Sequence, residues 1–291
     1  MSAAGQAAAR MIAVPEVDVP VRRAVHRIEV RQTEGMTRGI ALVRRPGSRL
    51  AEGLVTHIER TDVDVARARR QHDAYRAALT GAGWPVREVP PAEHCPDAVF
   101  VEDTVVVCAG LAVLTRPGAP QRRPEIAGTE KTVREAGLEV LRIEAPGTLD
   151  GGDVLQVGTT VYVGQGGRTD AAGAAQLAAH LATRGRTVVP VPLRGVLHLK
   201  SAVTALPDGT LLALPDLLDA AALRHPVRPV DEEAGCHVVP LGGDRVLLAA
   251  SAPRTAALVT DLGFTPVIVD IAEFEKLEGC VTCLSVLIPG A

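Results

Sequence analysis

The stretch VFVEDTVVVCAGLAVLTRPG, Val99 to Gly118, reads as two apolar strands around a short turn, opened by the adjacent acids Glu102 and Asp103. Helical spacing follows in EIAGTEKTVREAG (125–137), then a third strand in LEVLRIEAP (138–146). The same order of hairpin, helix and strand recurs in GDVLQVGTTVYVG (152–164), DAAGAAQLAAHLATRG (170–185) and RTVVPVP (186–192). A third hairpin, SAVTALPDGTLLALP (201–215), turns at Pro207-Asp208-Gly209, and a fourth, CHVVPLGGDRVLLAAS (236–251), turns at Gly242-Gly243. A helix in APRTAALVTDLG (252–263) has Pro253 near its first turn and Gly263 past its end, and TPVIVDI (265–271) is the strand after it. The last unit begins at TCLSVLI (282–288), where the chain runs out. Its missing half stands at the other end, in GIALVRRPG (39–47), the helix VDVARARRQHDAYRAALTGAG (63–83) and the strand PVREVP (85–90).

Taking Asp103, Asp153, Ser201, Cys236 and Cys283 as equivalent first-strand positions, the spacings are 50, 48, 35 and 47 residues. Periods of this size mark solenoids, propellers and arrays. A helix in each unit argues against an all-β propeller, and a last hairpin that needs the first helix must close a ring. The expectation is an α/β fold, a five-bladed α/β propeller of ββαβ repeats with the helices outside. Residues 37–291 then form a single catalytic domain. A doubly wound α/β sheet is the alternative, weakened by the hairpins, because such sheets alternate single strands with helices. Residues 1–36 have little amphipathic period and no signal-peptide core, and read as a flexible extension with Met36 an alternative start. Acids scattered through them argue against a transit peptide.

Composition narrows the function classes. The 291 residues are 47% hydrophobic and 22% charged, as in a soluble globular protein. A net charge of −3 marks out no nucleic-acid or anionic-membrane surface. No apolar run approaches the roughly 18 residues a membrane span needs. Five cysteines, an odd number in a chain this size, do not suit a disulfide framework and point to a reducing cytoplasm. There is no dinucleotide-binding G-x-G-x-x-G and no P-loop.

If each first strand starts near the ring axis, five segments meet there: PDAVFVED (96–103), TLDGGD (148–153), VLHLKS (196–201), AGCHVV (234–239) and EGCVTC (278–283). Singly, each has an ordinary explanation. Asp97, Glu102 and Asp103 are turn acids, Asp150 and Asp153 flank a glycine turn, and His198 sits between Leu197 and Leu199 as a bonded core histidine would. Arg122, Arg123 and Arg168 lie in loops, where solvated arginines are the rule. Together, carboxylates converging beside a cysteine and a histidine suit a cationic, planar electrophile, of which a guanidinium is the obvious example. A thiolate would attack its carbon while histidine protonates the departing amine and later activates water. Arg122 and Arg168 would clamp a carboxylate at the far end, which makes the substrate an arginine derivative.

Cys280 and Cys283 form a C-x-x-C pair, which is a redox couple, half of a zinc clip, or a nucleophile beside an unimportant neighbour. No second C-x-x-C completes a zinc site. In a strand, side chains three apart point to opposite faces. The expectation is one nucleophile, Cys283, starting a strand aimed at the axis, with Cys280 a small apolar filler.

The segments PDAVFVEDTVVV, LTRPGAPQRR, LDGGDVL, RTDAAGA, HLKSAV and GCVTCLSVL, in this order and spread over about residues 37–289, resemble the dimethylarginine dimethylaminohydrolase family of the pentein (amidinotransferase-like) superfamily. The resemblance implies a five-bladed α/β propeller that hydrolyses N-ω-methylated arginines to citrulline and methylamine or dimethylamine, without a required cofactor or metal. It implies Cys283 as nucleophile, His198 as general acid and then base, and Asp150 as the carboxylate beside it. Asp97, Glu102 and Asp103 are implied substrate contacts, Asp103 at the guanidinium end, with Arg122 and Arg168 holding the substrate carboxylate. A lid leucine falls in EGLVTHIERTD (52–62) at Leu54 or Val55, and Leu277 stands where a backbone carbonyl meets the ligand. Zinc on the Cys283 thiolate would be an inhibitor and not a cofactor. The implied partner is the small-molecule substrate alone, with neither nucleic acid nor membrane, and the oligomeric state is left open, a homodimer included. The rivals are an arginine deiminase, for whose usual inserted helical subdomain the chain has no room, and a non-catalytic thiol or metal sensor.

Overall fold

The computed structural model describes residues 39–290, and the extension read at 1–36 lies outside the described residues. The chain begins with strand β1 (Gly39–Val43), helix α1 (Val65–Gly81) and strand β2 (Val86–Glu88). Next come β3 (Val105–Cys108), β4 (Leu111–Leu114), α2 (Ile126–Glu135) and β5 (Glu139–Arg142). The third unit is β6 (Val154–Val157), β7 (Thr160–Gln165), α3 (Ala171–Ala182) and β8 (Thr187–Pro192). The fourth has strands β9 (Val203–Ala205), β10 (Leu211–Ala213) and β11 (Val227–Pro229). The fifth is β12 (Val239–Gly242), β13 (Arg245–Ala249), α4 (Pro253–Asp261) and β14 (Thr265–Val269). Short helix α5 (Ala272–Glu275) leads into β15 (Val286–Pro289).

These strands make five three-stranded sheets, each with an antiparallel pair and a third strand parallel to its centre. The first sheet closes the ring. Its order is β15-β1-β2, and the last strand of the chain pairs antiparallel with the first in the register Gly39↔Pro289 to Leu42↔Val286. The fold is therefore the α/β propeller expected from the repeat. With only three Phe, two Tyr and one Trp in the chain, the interior is filled by aliphatic side chains. They form five clusters that join neighbouring blades. One, for example, joins Leu42 and Val286 of the first sheet to Val105 and Leu114 of the second.

Local chemistry explains the elements. Asp64 and Asp170 cap α1 and α3, accepting from the backbone N–H groups of Arg67 and Gly173. Gly243, at a φ of 63°, opens the two-residue turn Gly243-Asp244 between β12 and β13, and Gly242, at 93°, stands at the register shift before it. One expectation is corrected: the fourth blade has no α-helix. Only short 3-10 turns, Pro215–Leu217 and Ala220–Ala222, link β10 to β11. Thirteen residues (214–226) with a proline near each end leave no room for a helix of useful length, which is why the spacing there shrinks to 35.

A second correction concerns the equivalent positions. Asp103, Asp153, Ser201 and Cys236 do not start strands but lie in the 3-10 turns Val101–Thr104, Gly151–Asp153, Leu199–Ser201 and Glu233–Cys236 that precede them. Cys283 lies in a turn likewise, before β15. A turn frees side chains from the two-face alternation of a strand and lets neighbours point along the axis.

Arg44, 1% exposed, fastens the first blade to the second. Its guanidinium donates to the carbonyls of Pro90, Ala98 and Glu125 and to Thr129 Oγ1, at 2.9–3.2 Å. Arg44→Leu strands those acceptors and is expected to lower stability by about 3 kcal/mol. Chemical denaturation checks this, and a loss under about 1 kcal/mol would contradict it. No helix among the described residues is long and apolar enough to cross a membrane.

Candidate active site

The axial turns meet around a narrow cavity lined by Asp97, Asp103, Arg122, Arg168, His198 and Cys283, with Leu54, Phe100, Leu197 and Leu277 as apolar walls. Its solvent-accessible volume is about 20 Å³, room for one or two waters, so the walls must move to admit an amino acid.

His198 opens its turn in extended backbone, and its Nε2 lies 3.1 Å from Asp150 Oδ2 and 3.8 Å from Asp103 Oδ1. Burial opposes the imidazolium, but the carboxylates of Asp103, Asp150 and Asp153 outweigh it and hold the ring up at about 9. Asp103 accepts from the N–H of Gly152 (2.9 Å) and from Arg122 Nη1 (2.5 Å). Its own burial is overcome by His198 and Arg122, which keep it ionised down to about 2. Asp150 accepts from the N–H of Gly118 at 2.8 Å. Asp153, pushed up by burial to about 6, accepts from Thr169 and the N–H of Leu199. The glycines of LDGGD are dictated by this crowding: a Cβ at Gly152 would come within 2.6 Å of the His198 ring, and one at Gly151 within 2.0 Å of the Glu102 carbonyl. Asp103, Asp150 and His198 bring donor atoms within 4.8 Å of one another, a pocket with the charge to hold a cation.

Cys283 and Cys280 differ from expectation. The segment is a turn, closed by the Cys283 N–H on the Cys280 carbonyl (3.1 Å), and it brings the two sulfurs to 3.2 Å. Cys280 is thus no mere filler: its backbone N–H and its thiol both approach Cys283 Sγ. Hydrogen bonding to Cys280, burial, and the charges of Cys280, Glu102 and Asp103 hold the Cys283 thiol well above its usual range. Cys280 is favoured as the charged partner by its hydrogen bond from Cys283 and by His237. The turn is anchored by Tyr75, whose hydroxyl lies 2.8 Å from both the Val281 carbonyl and Ser285 Oγ, and by the Glu102 N–H on the Cys283 carbonyl.

Two further expectations change. Glu102 does not line the cavity. Its carboxylate accepts from Lys200 (2.5 Å) and Thr282 (3.0 Å) beside a separate cavity of about 220 Å³, and burial raises it to about 7. Neighbours in a tight turn diverge, so only Asp103 of the pair faces the site. Arg122 reaches the cavity, but its guanidinium is engaged by Asp103, both oxygens of Glu125 and the carbonyls of Asp97 and Phe100. Little of it is left to clamp a carboxylate. Arg168 is more open: its nearest partners are Asp150 Oδ2 at 3.6 Å and Thr56 Oγ1 at 3.5 Å.

The lid segment lies over the cavity. Leu54 lines it, with its N–H on Asp97 Oδ1 at 2.9 Å, whereas Val55 packs on the core cluster that contains Leu277. Glu278, at a positive φ of 59°, accepts from the N–H groups of Thr56 (2.6 Å) and His57 (2.7 Å). Sequence reasoning missed this latch, along with Tyr75, Thr169 and Lys200. Glu278→Gln removes the charge from a partly exposed pair of bonds and is expected to lower kcat/KM about tenfold, mostly through KM. Steady-state kinetics checks it, and an unchanged KM would contradict it.

The arginine deiminase family profile matches residues 93–240. The chain is 61% identical over 246 residues to N(G),N(G)-dimethylarginine dimethylaminohydrolase of Streptomyces coelicolor, an alignment that covers 84% of this chain and 95% of the relative. Two solved structures are similar at a TM-score of 0.81 and 34% identity. One is a cysteine-to-serine variant of the Pseudomonas aeruginosa enzyme complexed with citrulline, covering 87% of this chain and 100% of that one. The other is a dimethylarginine dimethylaminohydrolase adduct with S-methyl-L-thiocitrulline, covering 86% and 99%. With this identity, coverage and common fold, the chain belongs to the dimethylarginine dimethylaminohydrolase family of the pentein superfamily.

Proposed function

We propose that this chain hydrolyses N-ω-methylated arginines to citrulline and dimethylamine or methylamine through a covalent adduct on Cys283. The observation that carries the reading is the meeting of Cys283, His198 and the Asp103 carboxylate in one narrow cavity, in a chain 61% identical to a named member of the family. Asp103 pairs with the substrate guanidinium, Asp97 and Arg168 meet the far end of the amino acid, and the Leu277 carbonyl and the Leu54 side chain line its path.

The thiol that is hard to ionise in the empty site is ionised by the substrate itself. A guanidinium about 4 Å away favours the Cys283 thiolate by roughly 4 kcal/mol at an effective dielectric of 20. The sulfur then adds to the guanidinium carbon and forms a C–S bond. The C–N bond to the methylated nitrogen breaks as His198, protonated and held by Asp150, passes its proton to the departing amine. His198, now neutral, takes a proton from water, whose oxygen adds to the same carbon, and the C–S bond breaks to release citrulline. Closure by Leu54 keeps other water away until the amine has left. With five free buried thiols, we place this chemistry in a reducing compartment such as the cytoplasm.

A second reading, hydrolysis of unmethylated arginine, is favoured by the arginine deiminase profile. One or two methyl groups are worth only about 1–3 kcal/mol each in a pocket. Measuring kcat/KM for asymmetric dimethylarginine and for arginine decides it. The proposal expects citrulline with dimethylamine from the first to dominate, while citrulline with ammonia from arginine alone would move the assignment to a deiminase. Arg168→Ala is expected to raise KM about tenfold or more with kcat nearly kept, because a charged pair at the far end is lost equally in ground and transition states. A fall in kcat with KM unchanged would remove Arg168 from that role.

A further inference from the structure

We propose that Cys280 is a resolving thiol and that a peroxide converts Cys280 and Cys283 into an intramolecular disulfide that reversibly switches the enzyme off. This rests on the reading of Cys283 as the nucleophile. The two sulfurs are 3.2 Å apart across a turn already closed by a backbone hydrogen bond, so a side-chain movement of about 1 Å reaches disulfide length. Among the described residues no other pair of cysteine sulfurs is in contact: Cys95 lies by the Gln121 carbonyl, and Cys236 by the carbonyls of Ser201 and Glu233. The cavity over Cys283, too small for an amino acid but with room for one or two waters, admits hydrogen peroxide. The hydrogen bond between the two sulfurs and the nearby His237 imidazolium both favour a thiolate on Cys280, the form that attacks.

The steps balance. Cys283 Sγ attacks one peroxide oxygen, an S–O bond forms, the O–O bond breaks, and the departing hydroxide takes the Cys283 thiol proton to become water. The sulfur is now a sulfenic acid, oxidised by two electrons. The Cys280 thiolate attacks it, the S–S bond forms, the S–O bond breaks, and that hydroxide leaves as a second water. Two thiols and one peroxide give one disulfide and two waters. Without a free Cys283 thiol there is no nucleophile, and an external dithiol restores it.

Both cysteines fall in one tryptic fragment, residues 277–291, because Lys276 precedes it and no Lys or Arg follows. The test treats the full-length enzyme with hydrogen peroxide, blocks free thiols with iodoacetamide and weighs that fragment while citrulline formation is followed. The expected fragment is lighter by two hydrogens and takes no iodoacetamide, in step with loss of turnover, and dithiothreitol restores both mass and rate. In Cys280→Ser the fragment is expected to gain oxygen instead, progressing to a sulfinic acid that dithiothreitol does not reverse. A wild-type fragment that gains oxygen, or keeps two alkylatable thiols while activity falls, would overturn the switch. Turnover that continues with the disulfide formed, or that survives in Cys283→Ser, would instead show that the nucleophile was misassigned.

Discussion

Replacing Cys283 with serine is expected to cut kcat by about 10⁴-fold or more while leaving the fold and substrate affinity nearly intact. Serine is close to cysteine in size, so the turn between Tyr75 and Glu102 keeps its hydrogen bonds and stability changes little. The chemistry fails because a buried hydroxyl stays protonated even beside a guanidinium, and the substrate charge that ionises a thiol is too weak to ionise an alcohol. Cys280→Ser keeps a hydroxyl that can donate toward Cys283, and its loss is expected to stay within about tenfold. A citrulline assay on both variants checks the contrast. Turnover by Cys283→Ser within tenfold of wild type would end the assignment.

The second large effect falls on His198. His198→Ala is expected to lower kcat by about 10³-fold, the usual contribution of a positioned acid and base. Its pH dependence identifies the group. With the ring held up at about 9 by its carboxylate neighbours, it is protonated at neutral pH and loses its proton as pH rises through that value. Wild-type kcat/KM should therefore fall on the alkaline side near pH 9, and Asp150→Asn, which removes one supporting charge, should move that limb to lower pH. The same shift links to stability. The folded pKa lies above the unfolded value near 6.5, so the stabilisation is complete below pH 6.5 and is lost as pH rises through about 9. An alkaline limb that persists in His198→Ala would assign it to another group.

The ring and its closure were legible because four hairpins recur along the chain and the last unit, begun at 282–288, finds its missing half at the N-terminus. Asp103, His198 and Cys283 stood out for the same reason: the segments that open equivalent blades must meet at the axis, whatever separates them along the chain. What the period could not show is direction within a turn. Glu102 and Asp103 are adjacent, yet one faces Lys200 and the other faces the cavity. The C-x-x-C pair was misread because strand alternation was assumed where the chain turns, and the two sulfurs meet. Arg122 looked like a substrate clamp because no sequence pattern reveals that Glu125 and Asp103 already occupy it. Tyr75 contacts Val281 across 206 residues, a distance at which no local signal survives.

The central claim is that carbon is transferred to Cys283 during turnover. Mixing the enzyme with asymmetric dimethylarginine, quenching in acid within the first turnovers and weighing the tryptic fragment 277–291 measures it directly. The account predicts that this fragment carries the substrate minus dimethylamine, on Cys283, and that the adduct decays as citrulline appears. Citrulline formed with the fragment unmodified, or modified only at Cys280, would contradict it.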